Sequence, residues 1–236
     1  MNKEVEIFEN FIKNFDMNIP DLKRKYDHTY RVVDYAEDIA KSLNLDENEV
    51  TRAKVCALFH DLGRFPQFSE YKTFIDSDSF DHGDKSEEIL KEINYNDEIV
   101  LKSVKYHNKK EVPNFDELTN IHSNIVRDAD KLDIMNMQIN ELENYDYEYP
   151  EGIIDNFKNH TLLDNRYANN NFINLLRMLA FVFDINYKKS IEIIIEKNII
   201  DRKIEILKRL KNANNEVDII EKEIKEYIKE RFDVIC

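Results

Sequence analysis

Glycine and proline are nearly missing from this chain. Its 236 residues contain three glycines and four prolines, where average usage would supply about 28 of the two together. The turns of a sandwich or barrel draw on these residues, so an all-β architecture is excluded and long helices remain. Tryptophan is absent and cysteine occurs twice, at Cys56 and Cys236. Two cysteines make neither a disulfide framework nor a thiolate zinc site, and Cys56, inside an apolar run, reads as core packing. No apolar run is long enough for a bilayer: the best, residues 172–184, is interrupted by Arg177, and a spanning helix needs about 20 residues. The N-terminus, Met1-Asn2-Lys3-Glu4-Val5-Glu6, has acid where a signal peptide has an apolar stretch. A soluble, cytoplasmic protein without a membrane partner is expected. Positive charge is also short, 34 Lys and Arg against 48 Asp and Glu, a net charge of −14. Such a chain repels polyphosphate, so a nucleic-acid polymer is not the expected partner. An anionic small molecule would need a local positive centre.

What is present is a helical core. Apolar residues reach 42% and aromatics 11%, too many for disorder, and a chain of this size buries about 70% of its unfolded surface. Val5, Phe8, Phe11, Ile12 and Phe15 form a helical stripe over 4–15. Pro20 suits the first turn of a second helix to about Leu43. A third starts at Asp46-Glu47-Asn48-Glu49 and ends near Leu62-Gly63, with Gly63 as a C-terminal cap. Residues 64–80, aromatic and containing Pro66, read as a long loop. Further helices are expected at 84–93, 96–107, 116–142, 151–159, 171–185, 187–197, 200–212 and 214–232, with the asparagines at 169–171 and 214–215 in loops and caps. From residue 187 isoleucines recur every three or four positions between Lys and Glu, an amphipathic hairpin packed on the rest. The expected division is 1–186 and 187–236. The class is all-α, and no strand pattern is evident.

The six histidines carry the chemistry. His28 lies in Tyr-Asp-His-Thr-Tyr-Arg, His60 opens His-Asp-Leu-Gly-Arg, His82 follows Asp81, His107 precedes Asn108, and Asp130 lies in Arg-Asp-Ala-Asp-Lys-Leu-Asp. Imidazole and carboxylate suit divalent transition metals. His60 and Asp61 follow the apolar run 55–59, where a polar pair costs several kcal/mol unless paired or metal-bound. With His28 and Asp130 on two further helices they make a four-ligand set in a bundle core. Asp61 both binds a cation and holds water. Arg64 offers a planar fork to phosphate, or an ordinary loop ion pair; Lys131 contacts substrate or pairs with an acid. Arg31 is expected to pack behind the site. Asp81 either orients His82 or caps a helix. His122 reads as a surface histidine, and His160 receives no role.

In this order the segments "ALFHDLGRFPQF", "DHGDKSEEIL" and "RDADKLD" resemble the HD superfamily of metal-dependent phosphohydrolases, over about residues 25–135. The resemblance implies an all-helical fold, a metal on His28, His60, Asp61 and Asp130, and a second metal at positions such as His82 and His107. With one metal, these two histidines bind phosphate or protonate the leaving group. Two branches fit less well. The cyclic-dinucleotide phosphodiesterases carry a further His and a Gly-Tyr-Pro motif, absent here, and the alarmone hydrolases have an acidic pair where this chain has Arg64-Phe65-Pro66-Gln67.

The expectation is a hydrolase that uses one or two divalent ions (Mn, Fe, Mg, Co, Ni or Zn) on a small phosphorylated molecule, a nucleotide foremost. Asp61, His82 and His107 are its catalytic groups, Arg64 and Lys131 its substrate contacts, and the chain is a monomer or homodimer. Two alternatives remain: an HD-type di-iron oxygenase, signalled by colour and O₂ consumption, and a non-catalytic metal- or nucleotide-binding regulatory module, signalled by metal-free protein.

Overall fold

The computed structural model describes residues 1–138, 147–164, 167, 170–210 and 215–234. The described residues form helices and no strand. Cys236, Asn169, Asn214 and the far ends of the helices expected over 116–142 and 200–212 lie outside the described residues.

Helix α1 (Asn2–Ile12) is followed by α2 (Pro20–Ser42), which starts on Pro20 with Asp21 in its first turn. A missing N–H costs nothing there, and the acid favours the positive end of the helix. Leu22, Val32, Ala36, Ile39 and Ala40 line its buried side. Helix α3 (Glu47–Phe59) is capped by Asp46, whose carboxylate accepts the N–H groups of Asn48 (2.9 Å) and Glu49 (3.0 Å). Its second half, Val55 to Phe59, is buried all round, as expected of a helix packed by others on several sides; α3 packs against α1, α2 and α6. Each such large side chain contributes about 1.5–3 kcal/mol when fully buried. The residues directly after that run inherit an interior position.

Residues 64–80 are not a long loop. Arg64–Tyr71 is a helix, α4, with a 3-10 turn at Asp76–Asp78. Pro66 sits within the first turn of α4, where no intrahelical N–H donor is needed. Phe65 is fully buried and meets the rings of Phe8, Phe11 and Phe15. Gly63 is not a left-handed cap; its φ is −63°. It is small because α5 (His82–Glu92) passes close by: a Cβ at Gly63 would lie 2.4 Å from the His82 carbonyl oxygen. Helices α6 (Glu98–Tyr106) and α7 (Glu117–Asn136) follow.

The later helices are α8 (Ile153–Lys158), α9 (Asn171–Ala180), α10 (Lys188–Glu196), α11 (Ile199–Lys208) and α12 (Asn215–Phe232). Asn170 caps α9 through Ile173 N–H at 2.9 Å. The isoleucine stripe forms α10, α11 and α12, with Asn198 in a left-handed conformation (φ 50°) between α10 and α11. Ile191, Ile194, Ile204, Leu207, Ile220, Ile224 and Ile228 are buried. The chain divides into two compact units, Met1–Asp130 and Lys131–Cys236. No helix of the described residues is long and apolar enough to cross a membrane.

Candidate metal centre

All six residues expected to hold metal lie in the first unit, within helices or in the turns that directly follow them. His28 is on α2 and Asp130 on α7. His60 directly follows α3, Asp61 lies in the turn before α4, His82 opens α5, and His107 directly follows α6. His28, His60, Asp61, His82 and His107 are all buried, none more than 4% exposed.

They form two groups that share Asp61. In the first, His28 Nε2 lies 3.3 Å from His60 Nε2, 3.2 Å from Asp130 Oδ1 and 3.5 Å from Asp61 Oδ2. His60 Nε2 lies 3.4 Å from Asp61 Oδ2 and 3.8 Å from Asp130 Oδ1. In the second, the other oxygen of Asp61, Oδ1, is 3.5 Å from His82 Nε2 and 3.6 Å from His107 Nε2, and those two nitrogens are 3.1 Å apart. Atoms that share one cation with bonds of about 2.0–2.2 Å sit about 3–3.6 Å apart, by the geometry of a tetrahedron or octahedron. All of these donor distances have this spacing except His60 to Asp130, at 3.8 Å.

Local structure decides which ring nitrogen points inward. A helix leaves its last carbonyls without intrahelical donors. His60 Nδ1–H donates to one of them, Ala57 O, at 2.7 Å, and His107 Nδ1–H to Val104 O, also at 2.7 Å. His82 Nδ1–H donates instead to Asp76 (2.7 Å to Oδ2). With each proton on Nδ1, each Nε2 presents a lone pair. His82 Nε2, His107 Nε2 and Asp61 Oδ1 are then three buried acceptors facing one another. Acceptors packed so closely repel unless a cation lies among them, and this chemistry fits a divalent ion.

The electrostatics agree. Burial pushes the Asp61 carboxyl up, but Lys25 and the imidazoles of His60, His107 and His28 outweigh it and hold it well below the usual carboxylate range. Burial likewise opposes ionisation of Asp130, and His28 and His60 overcome it. Burial brings His82 down to about 4 and also lowers His107. Lowered pKa values at His82 and His107 beside an ionised Asp61 are what metal binding at these groups requires.

Residues 26–135 match the family model of the HD domain. That stretch is an HD domain. No curated protein and no solved structure gives a significant match to the chain. HD domains bind divalent metals, their family consists mostly of metal-dependent phosphohydrolases, and the His and Asp clusters of this one are able to hold a metal.

Around the HD-domain centre, Asp76 and Lys25 are functional candidates that the sequence did not single out. Asp76 accepts from Arg64 Nη1 (2.9 Å), Gln67 Nε2 (2.9 Å) and Asn108 Nδ2 (3.2 Å) as well as from His82. Asp81 does not orient His82: it caps α5 through Asp84 N–H (3.0 Å) and pairs with Lys109. At a third grouping, Asp76, Asp81 and His82, the Asn108 amide nitrogen donates to Asp76 (3.2 Å) and Asp81 (3.1 Å). A donor already fills it. Lys25 Nζ lies 2.6 Å from Asp61 Oδ2.

Arg64 sits at the centre, but its Nη1 is engaged by Gln67, Phe74 O and Asp76. Its Nε is buried without a hydrogen-bond partner and faces Asp61 Oδ1 at 3.6 Å. Lys131 is buried, with Nζ 2.8 Å from Asp184 Oδ2. Arg31 is exposed on α2. His122 is not a surface residue: it is fully buried, and its Nε2 lies 2.7 Å from Glu49 Oε2. His160, in a left-handed conformation (φ 52°), packs on Phe183 and Tyr227.

Proposed function

We propose that this chain is a metal-dependent phosphohydrolase with two cation positions, acting on a small phosphate ester, a nucleotide foremost. His28, His60, Asp61 and Asp130 would hold the first cation, and Asp61, His82 and His107 the second. Divalent ions there would supply Lewis acidity toward a phosphoryl oxygen and a lowered water pKa. The imidazole and carboxylate set suits Mn, Fe, Co, Ni or Zn. The chain's own part is positioning. Asp61 presents one oxygen to each group, and the Nδ1–H bonds hold the imidazoles of His60, His82 and His107 in register. Burial excludes bulk water and strengthens every charge interaction inside. Arg64 Nε, 3.6 Å from Asp61 Oδ1 and without a hydrogen-bond partner, donates to a phosphate oxygen and offsets its charge. The convergence of His82, His107 and Asp61 as three acceptors without a donor among them carries this reading.

The test is a phosphate-release screen over nucleotides and sugar phosphates with each metal, alongside the double change His82→Ala with His107→Ala. Metal-dependent release in the wild type, with the double variant falling from near two metals per chain to near one, is the expected result. One metal throughout, with activity lost, would assign the two histidines to leaving-group protonation or phosphate binding. O₂-dependent product without phosphate release would replace hydrolysis by oxygenation.

A further inference from the structure

Among the described residues, Lys25 is the one lysine or arginine within hydrogen-bond distance of the carboxylate shared by both groups, at 2.6 Å from Asp61 Oδ2. It stands three residues before His28 on α2, one turn away on the same face, so its ammonium enters the centre beside that imidazole. The Lys25 side chain is 18% exposed, whereas Asp61 is 3% exposed. The lysine therefore reaches from the rim inward. Its ammonium lies 5.7 Å from the Phe74 ring centroid, and the Arg64 guanidinium lies 5.9 Å from the same ring. Arg24 also lies over this ring, at 5.7 Å, but it is Lys25 and Arg64 that address the two oxygens of Asp61, Lys25 at Oδ2 and Arg64 at Oδ1.

The oxygen that Lys25 holds is also the one facing His28 and His60, at 3.5 and 3.4 Å. An ammonium and a divalent ion on one oxygen repel each other, and an ammonium on a flexible four-carbon stem is the partner that can move. Arg64 cannot follow it, because three acceptors fix its Nη1. We propose that Lys25 acts as an exchangeable cation of this site: it neutralises Asp61 while the first group holds no metal, and it binds a phosphate oxygen of the substrate when that group is filled. This rests on the metal-dependent phosphohydrolase reading above and adds to it a mobile phosphate-binding residue.

The test compares the wild type with Lys25→Met, Lys25→Gln and Lys25→Arg by calorimetric titration, first with Mn²⁺ and then with inorganic phosphate on the Mn²⁺-loaded protein. Helical circular dichroism verifies that each variant is folded. Loss of a charge-assisted hydrogen bond is expected to weaken phosphate binding about tenfold or more in the Met and Gln variants, and Lys25→Arg is expected to recover part of it. Mn²⁺ is expected to bind the Met and Gln variants at least as tightly as the wild type, because a competing cation has gone. Phosphate affinity unchanged within about twofold in both, a difference too small for a lost ionic hydrogen bond, would overturn the phosphate role. A tenfold loss of Mn²⁺ affinity in both would overturn the exchange. A wild-type chain that takes up no Mn²⁺ overturns the parent reading and this one with it. A wild type that binds Mn²⁺ and phosphate beside indistinguishable variants overturns the Lys25 assignment alone.

Discussion

His60 and His107 each anchor their Nδ1–H on a carbonyl three residues back in their own helix, whereas His82 depends on Asp76, which the segment after α4 delivers. An anchor within one helix persists whenever the helix forms; an anchor from another segment depends on that segment staying in place. Asp76 is kept there by Arg64, Gln67 and Asn108. Burial opposes its ionisation, yet the His82 hydrogen bond, Arg64 and Gln67 keep its pKa far below the usual range. Asp76→Asn is therefore expected to weaken the second metal about 10–100-fold, the usual effect of removing a ligand's carboxylate partner, with the first metal little changed. Stepwise metal titration checks this; equal loss at both steps would contradict it. His122 supplies a pH prediction away from the metal centre. Burial lowers its pKa, while burial pushes Glu49 up and the hydrogen bonds from Arg52 and His122 bring Glu49 below its ordinary value. Below about pH 6.5 the unfolded chain takes up a proton at this histidine before the folded chain does. The stability contribution is thus intact above that pH and is lost as pH falls through it, followed at more acid pH by that of Glu49. Urea midpoints of metal-stripped protein are expected to drop between pH 7.5 and 5.5, and less steeply in His122→Asn. Parallel pH profiles would remove His122 from the account.

The turn from α3 into α4 is held against α5 by Ser86. Its hydroxyl accepts Gly63 N–H at 2.8 Å and lies 2.9 Å from the His60 carbonyl and 2.8 Å from that of His82. A methyl group at Gly63 would meet backbone atoms, His82 O at 2.4 Å and Ser86 N at 3.1 Å, which cannot swing aside as a side-chain end can. Gly63→Ala is expected to cost about 1–3 kcal/mol, the range for overpacking, and to loosen His60 and His82 together. Denaturant titration and metal affinity check both effects, and an unchanged variant would show that α4 and α5 can separate freely. These elements also mark how far the sequence could be read. Periodicity located most helices. Residue chemistry pointed to His28, His60, Asp61 and Asp130, because an ionisable pair following a fully apolar helix end requires a partner, while the expectation for His82 and His107 came from the resemblance to the HD superfamily. Helix α4 was hidden because Pro66 reads as a breaker unless its place in the first turn is known. Asp76 and Lys25 were hidden because tertiary packing alone sets residue 76 against the ring at 82 and residue 25 against the carboxylate at 61. His122 looked like a surface residue because its partner, Glu49, lies 73 positions away.

At the scale of the whole molecule, a net charge of −14 coexists with His and Asp clusters able to hold a metal. The six candidate ligands span residues 28–130, inside both the HD-domain match at 26–135 and the unit Met1–Asp130. The acidity disfavours polyphosphate at long range, and divalent ions with Lys25 and Arg64 would reverse the local sign where the proposed phosphate ester would bind. Everything in this account depends on Asp61 serving two cation positions with its two oxygens. The most direct measurement is metal per chain and metal affinity for the wild type and Asp61→Asn, with helical circular dichroism confirming that both are folded. The account predicts two divalent ions per wild-type chain and loss of both, or retention of one bound at least about tenfold more weakly, in Asp61→Asn. Two ions bound with wild-type affinity in the variant would contradict it.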